Sequence, residues 1–227
     1  MKNGLDLRLQ ILEKFGNSSE RKTLDFCREA YQFVAGDAAK EDASVPLNIA
    51  EAIDLGLPSG TKWADRNVGA SAPEDTGLYF SWGNTEGHEA GKDYDFEEDY
   101  KNTPGYKLKV DIDIENDAAR ANMGKPWKMP NKDQFQELVD NCEIETCTLN
   151  GYRGRRFTSK INGNSIFMPF AGYIYGTGLN NRGSNGYYWS ASLYSSALGY
   201  YLYFNSEGVY PAHYHIRFHG FSVRAVQ

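Results

Sequence analysis

Half of the sixteen tyrosines in this chain fall between Gly183 and His219: Tyr187, Tyr188, Tyr194, Tyr200, Tyr201, Tyr203, Tyr210 and Tyr214. Three of the four histidines, His213, His215 and His219, lie in the same stretch with six serines and four glycines. It contains no lysine, and Glu207 and Arg217 are its only formal charges. Side chains of these types suit non-covalent recognition better than bond-making. Tyrosine gives a large amphipathic contact area at small entropic cost, while serine, glycine and asparagine adapt their hydrogen bonding, as in an antibody paratope. The competing reading is an aromatic-rich core. So many tyrosines would then need many buried partners for their hydroxyls, and this favours exposure.

Other chemistry is weakly represented. His213 and His215 point the same way if they lie on a strand, and with His219 they offer three nitrogens to a metal. No carboxylate stands nearby to orient the rings, so no metal or cofactor is expected. Cys142 and Cys147 lie five apart beside a helix, and Cys142 completes its apolar stripe as a core residue would. No G-x-S-x-G motif marks a nucleophilic serine. Gly176 and Gly178 begin a G-x-G without its third glycine, which argues against phosphate cradling. The acidic stretch 86 to 99 places Asp93, Asp95 and Glu97 like the first calcium-loop ligands. Glu98 replaces the required glycine, however, and Pro104 the final glutamate, so a solvated loop is expected. The basic run Arg153, Arg155, Arg156 reads as a solvated hairpin.

The elements that must position these residues follow from pattern. In Tyr200 to Phe204, strand periodicity puts Leu202 and Phe204 on one face and Tyr201 and Tyr203 on the other. From Ile53 onward, short apolar or aromatic runs are broken by glycine, proline and asparagine, which predicts many short strands with long loops. Two helices interrupt them. Phe135, Leu138, Val139 and Cys142 recur at helical spacing after Asn131 and Gln134, which are spaced as a capping box. A shorter helix is expected over 116 to 123, stopped by Gly124 and Pro126.

Residues 1 to 46 differ in texture and are expected to form a helical N-terminal appendage and linker. Leu24, Cys27, Tyr31 and Val34 share a helical face, with Gly36 as its stop. The main domain is expected over 47 to 227. The net charge of −6 provides no basic field for phosphate backbones, so nucleic acid is not an expected partner. Membrane insertion is not expected either, since no apolar run approaches the roughly 20 residues of a spanning helix. The first residues show no signal-peptide pattern, which leaves the compartment undecided between a phage particle, a cell surface and elsewhere. Three cysteines, Cys27, Cys142 and Cys147, are too few to staple a domain of 227 residues, and the fold must rest on packing.

Five stretches carry a family resemblance: Asp54-Leu-Gly-Leu-Pro-Ser-Gly-Thr-Lys-Trp63, Tyr79-Phe-Ser-Trp-Gly83, Pro126-Trp-Lys-Met-Pro130, Tyr188-Trp-Ser-Ala-Ser192 and Gly220-Phe-Ser-Val-Arg224. In this order they resemble the C-type-lectin-like domains abundant in Bacteroidetes, which are related in fold to formylglycine-generating enzymes. The resemblance implies an α+β C-type lectin fold of that subtype over about 54 to 227. The C-terminal stretch further resembles the variable region of proteins targeted by diversity-generating retroelements, in which a reverse transcriptase copies a template with errors at adenines.

That second resemblance sorts the segment into two interleaved sets. Trp189, Leu193, Ala197, Leu202, Phe204, Val209, Pro211, Arg217, Gly220, Phe221, Val223 and Arg224 would be scaffold. Tyr187, Tyr194, Ser195, Leu198, Gly199, Tyr201, Tyr203, Gly208, Tyr210, His213, Tyr214, His215, Ile216, Phe218 and His219 would be the diversified binding surface. The resemblance implies a non-enzymatic protein that recognises a macromolecular ligand, a protein on a cell surface being the leading candidate. The alternatives are a fixed-specificity adhesin or carbohydrate-binding module, and an oxidase of the formylglycine-generating type. The oxidase uses a cysteine pair near the C-terminal part of its fold, and no cysteine follows Cys147. The sugar-binding triplets of calcium-dependent lectins, Glu-Pro-Asn or Gln-Pro-Asp and Trp-Asn-Asp, are missing too.

Overall fold

A computed structural model describes residues 50–90 and 94–227. The appendage expected over 1 to 46 and the position of Asp93 lie outside the described residues. The body is mixed and β-rich, with antiparallel strands arranged in small sheets and a few short helices.

β1 (Ala52–Asp54) turns back through Gly56 and Gly60, both at positive φ, into β2 (Lys62–Asn67). The chain's last strand, β11 (Arg224–Val226), lies on the other side of β2, so the two ends of the described body share one sheet. Arg224 fixes that closure. Its side chain is fully buried and donates from Nε to Asn67 Oδ1 and from its two Nη atoms to the carbonyls of Ala64, Asp65 and Phe167. A buried guanidinium whose donors are satisfied in this way ties three parts of the chain at one point.

The segment after β2 carries α1 (Phe96–Asp99), α2 (Pro104–Lys107) and α3 (Ala118–Met123). The acidic stretch is therefore not a loop throughout. Asp95 caps α1 by accepting from the amides of Glu97 and Glu98, and Phe96 is buried. The expected shorter helix is α3, capped by Asp117 and ended by Gly124 at φ 73°. α4 (Lys132–Asn141) is the expected longer helix. Its capping box is formed on both sides, Asn131 Oδ1 accepting from Gln134 N and Gln134 Oε1 accepting from Asn131 N. Phe135 and Leu138 are buried, and Cys142 follows directly as the buried first residue of β3.

β3 (Cys142–Leu149), β4 (Tyr152–Ser159) and β5 (Ser165–Pro169) form a second antiparallel sheet. Its first hairpin turns on Asn150 and Gly151, which sit at φ 47° and 88°. The basic run lies on β4, and only part of it is solvated. Arg153 is exposed and Arg156 bonds Glu145, but Arg155 is buried and donates to the Asn205 carbonyl. A hairpin β6 (Tyr173–Tyr175) and β7 (Gly178–Asn180) leads to the third sheet, ordered β10-β9-β8. Its strands are β8 (Gly186–Leu193), β9 (Leu198–Phe204) and β10 (Val209–Ile216).

Both faces of β8 and β9 are covered. Tyr188, Leu202 and Phe204 enter one core with Trp63, Phe135, Leu138, Phe157 and Met168. Tyr187, Trp189 and Tyr201 enter another with Phe80, Trp82, Phe221 and Val223. The alternation read in Tyr200 to Phe204 is present, but the tyrosine face is itself a core face. Burial on both sides follows from the layering of small sheets around two apolar clusters.

Candidate functional site: an aromatic face on the C-terminal sheet

The site is built on a buried base. Trp189 stacks on Phe221 with ring centroids 4.1 Å apart, and its indole N–H donates to the Phe80 carbonyl. Trp82 donates to the Ser190 carbonyl and carries the Arg217 guanidinium 5.0 Å above its ring, a cation–π contact. Phe221 and Phe80 exchange backbone hydrogen bonds, which clamps the stretch after β10 onto the body.

Above this base lies a continuous layer of rings. Tyr201 sits 5.0 Å from Phe221 and 5.9 Å from Tyr187, to which it is nearly parallel. Tyr203 stacks on Tyr210 at 5.7 Å, and His213 lies against Tyr201 and Tyr203. His215 and His219 are 4.4 Å apart, and Tyr173 of β6 covers His219 at 5.3 Å. Asparagines hold the phenols: Asn185 donates to the hydroxyls of both Tyr187 and Tyr203, Asn181 to Tyr187 and Asn205 to Tyr203. Each of these two hydroxyls accepts from two asparagine amides, so both are satisfied without a charged group.

A smaller group occupies the opposite face of the same sheet. Tyr194 and Tyr214 stack at 4.0 Å and 10°, with Tyr200 edge-on to Tyr194 at 5.2 Å. Strand register explains the division, because His213 pairs Tyr201 and Tyr210 pairs Tyr203, while Tyr214 pairs Tyr200. A bulge between Tyr210 and His213 separates these pairs.

The fifteen residues expected to be displayed are therefore not equivalent. Tyr194, Tyr210, His213, Tyr214 and Ile216 are exposed, and Ser195, Leu198, Tyr203, Gly208, His215 and Phe218 are half-buried. The expectation of exposure fails at Tyr187, Gly199, Tyr201 and His219, which are buried. The cause is the second core, which periodicity cannot reveal. Gly199 has a separate reason: a Cβ there would lie 2.6 Å from Cδ1 of Trp82, so the close approach of the indole requires glycine. Among the expected scaffold residues, Ala197 is exposed, Leu193, Val209 and Pro211 are half-buried and the rest are buried. Tyr173 and Tyr175 belong to the layer although they precede the aromatic stretch and lie outside the set expected to be displayed.

Burial governs the electrostatics. Desolvation, then the neighbouring His215, holds the His219 imidazole down to about 4, and His215 is lowered by burial and by His213. Nδ1 of His219 is buried without a hydrogen-bond partner, while Nδ1 of His215 accepts from the Ile216 amide at 2.8 Å. The rings are thus held as neutral, stacked aromatics. Among the described residues no three His, Cys, Asp or Glu side chains are grouped to hold a metal. Cys142 and Cys147 both have free thiols, and burial pushes the Cys142 thiol up to about 11.

A family model described as a domain of unknown function (DUF8237) matches residues 148–226. The matched stretch contains the whole of the third sheet and the clamp after it. No curated protein and no solved structure matches the chain. No helix among the described residues is long and apolar enough to cross a membrane.

Proposed function

We propose that this protein is a non-catalytic recognition module that presents the rim of its aromatic layer to a macromolecular ligand. The observation that carries the reading is the vertical sorting of one ring cluster. Buried Trp189, Phe221, Tyr187 and Tyr201 form a floor, and exposed His213 and Tyr210 stand on it, Tyr210 through half-buried Tyr203. Solvent-exposed tyrosines on a rigid base lose little conformational freedom on binding and supply the anchor contacts typical of interface hot spots. The exposed phenols offer hydrogen bonding without a fixed charge, which suits a protein surface.

The finer reading is a C-type lectin scaffold diversified by a retroelement. It is supported by the five motif stretches and by a rim rich in residues reachable from asparagine codons through changes at adenine. The decisive test is genomic. A near copy of the codons from Gly183 onward, differing at adenines and lying near a reverse transcriptase gene, is the expected finding. A locus without such a repeat would leave a binder of fixed specificity. A glycan array read with calcium and with chelator then separates a carbohydrate-binding module from a protein-binding one.

A further inference from the structure

Beside the aromatic layer runs a groove of about 510 Å³ between the α2 segment and the end of β10. Its walls are Tyr100, Tyr106, Leu108, Ala197, Ile216 and Phe218, all but one of them aromatic or branched aliphatic. Lys107 and Lys109 are exposed at its edge, and Arg217 lines it from within. Among the described residues no carboxylate contributes to the lining, although the chain as a whole carries a net charge of −6. A volume of this size lies within the range of about 300–1,000 Å³ typical of ligand clefts.

Arg217 is the informative residue. It is 3% exposed, and its Nη atoms donate to the carbonyls of Leu108 and Tyr106. Its Nε is buried without a hydrogen-bond partner among the described residues. Trp82 offers its guanidinium a ring face and the two carbonyls offer dipoles, but no described carboxylate forms an ion pair with it. A buried cation with no carboxylate partner among the described residues leaves a positive potential in the groove that a nearby anion would offset. The two lysines add to the same potential at the mouth of the groove, where they would steer a negative group inward.

We infer that this groove is a second recognition subsite, one that takes an acidic residue flanked by apolar side chains from a peptide segment of the partner. The carboxylate would be held between Lys107, Lys109 and the potential of Arg217, with neighbouring apolar side chains against Ile216, Phe218 and Tyr106. This deepens the proposed function, since Ile216 and Phe218 also belong to the candidate binding set, and it names acidic–apolar peptide as the ligand class at this end of the face.

The test uses the full chain, immobilised and selected against a library of random short peptides, followed by affinity measurement on the recovered peptides. Enrichment of Asp or Glu beside aromatic or aliphatic residues is expected. Binding of those peptides should weaken by at least about tenfold in the Lys107→Glu/Lys109→Glu variant and should weaken as salt is raised. Lys107 and Lys109 are exposed, so the variant should keep the wild-type unfolding midpoint, which is measured alongside. Recovery of no peptide, of peptides without acidic residues, or of acidic peptides indifferent to the charge reversal would overturn the inference. So would charge-reversal-sensitive binding of heparin alone, which would assign the groove to a sulfated glycan. Peptides lost on Tyr210→Ala but untouched by the lysine variant would overturn the groove and leave the aromatic rim as the binding site.

Discussion

Replacing Tyr201 with alanine should cripple the fold, whereas the same change at Tyr210 should not. Tyr201 is 3% exposed, and its ring touches those of Tyr187, Trp189, His213 and Phe221. A buried aromatic side chain removes roughly 150–250 Å² from water, and truncating one to alanine costs about 3–5 kcal/mol once the cavity is included. For a body of this size each kcal/mol moves the midpoint by about 2–4 °C, so Tyr201→Ala should melt roughly 10 °C lower. Tyr210 is 49% exposed and makes its main ring contact with Tyr203, so Tyr210→Ala should cost about 1 kcal/mol or less. Both are read by urea titration of the full chain, following tryptophan fluorescence, since Trp63, Trp82, Trp127 and Trp189 are all buried in the described body. A loss below about 1 kcal/mol for Tyr201→Ala, or equal losses for the two variants, would refute the division into floor and rim.

Two further outcomes are expected. The folded-state pKa of His219 is lowered to about 4 against an ordinary value near 6.5, so the unfolded chain binds more protons between these values. Stability should therefore be complete above about pH 6.5 and fall as pH drops towards 4, by up to about 3 kcal/mol from this group. His215 shifts in the same direction and adds to the slope. Urea midpoints measured across that range should show a shallower fall for His219→Gln than for wild type, and parallel curves would count against the buried neutral ring. Cys142 should resist thiol-specific labelling at pH 8 until the chain is unfolded, because burial pushes its pKa to about 11. Mass spectrometry of its peptide reads this, and native labelling would show the thiol to be accessible.

Local rules were legible in the sequence wherever a single element decided the outcome. The Asn131–Gln134 box caps α4 because both partners lie within one turn, and His213 and His215 share a face because strand periodicity requires it. What periodicity cannot provide is the identity of the layer beyond each face. The alternation of Leu202 and Phe204 with Tyr201 and Tyr203 fits a strand with one wet side, yet residues from 80 to 82 and from 221 to 223 close over the tyrosine side. These arrive from over a hundred residues upstream and from the chain's end, and no local pattern announces them. Arg155 departs from a solvated hairpin for the same reason, since the carbonyl that receives it, Asn205, is fifty residues away. Gly199 reads as a small variable residue until Trp82 is seen above it.

The division into floor and rim narrows what the proposed diversification could achieve. A substitution at Tyr194, Tyr210, His213, Tyr214 or Ile216 changes an exposed side chain, and surface changes mostly stay within about 0.5 kcal/mol. At Tyr187 and Tyr201 the ring fills a packed layer, so only residues of similar volume keep the floor intact. At Gly199 any side chain must displace Trp82, which in turn supports Arg217. Sequencing this locus across many cells or related strains should therefore give variability that rises with exposure. Polar, small and aromatic residues alike are expected at the five exposed positions, aromatic ones at Tyr187 and Tyr201, and glycine alone at position 199. Free variation at Tyr201 or Gly199 would mean that the body tolerates rearrangement of its second core, and the rigid floor would no longer explain how a changing surface keeps its shape.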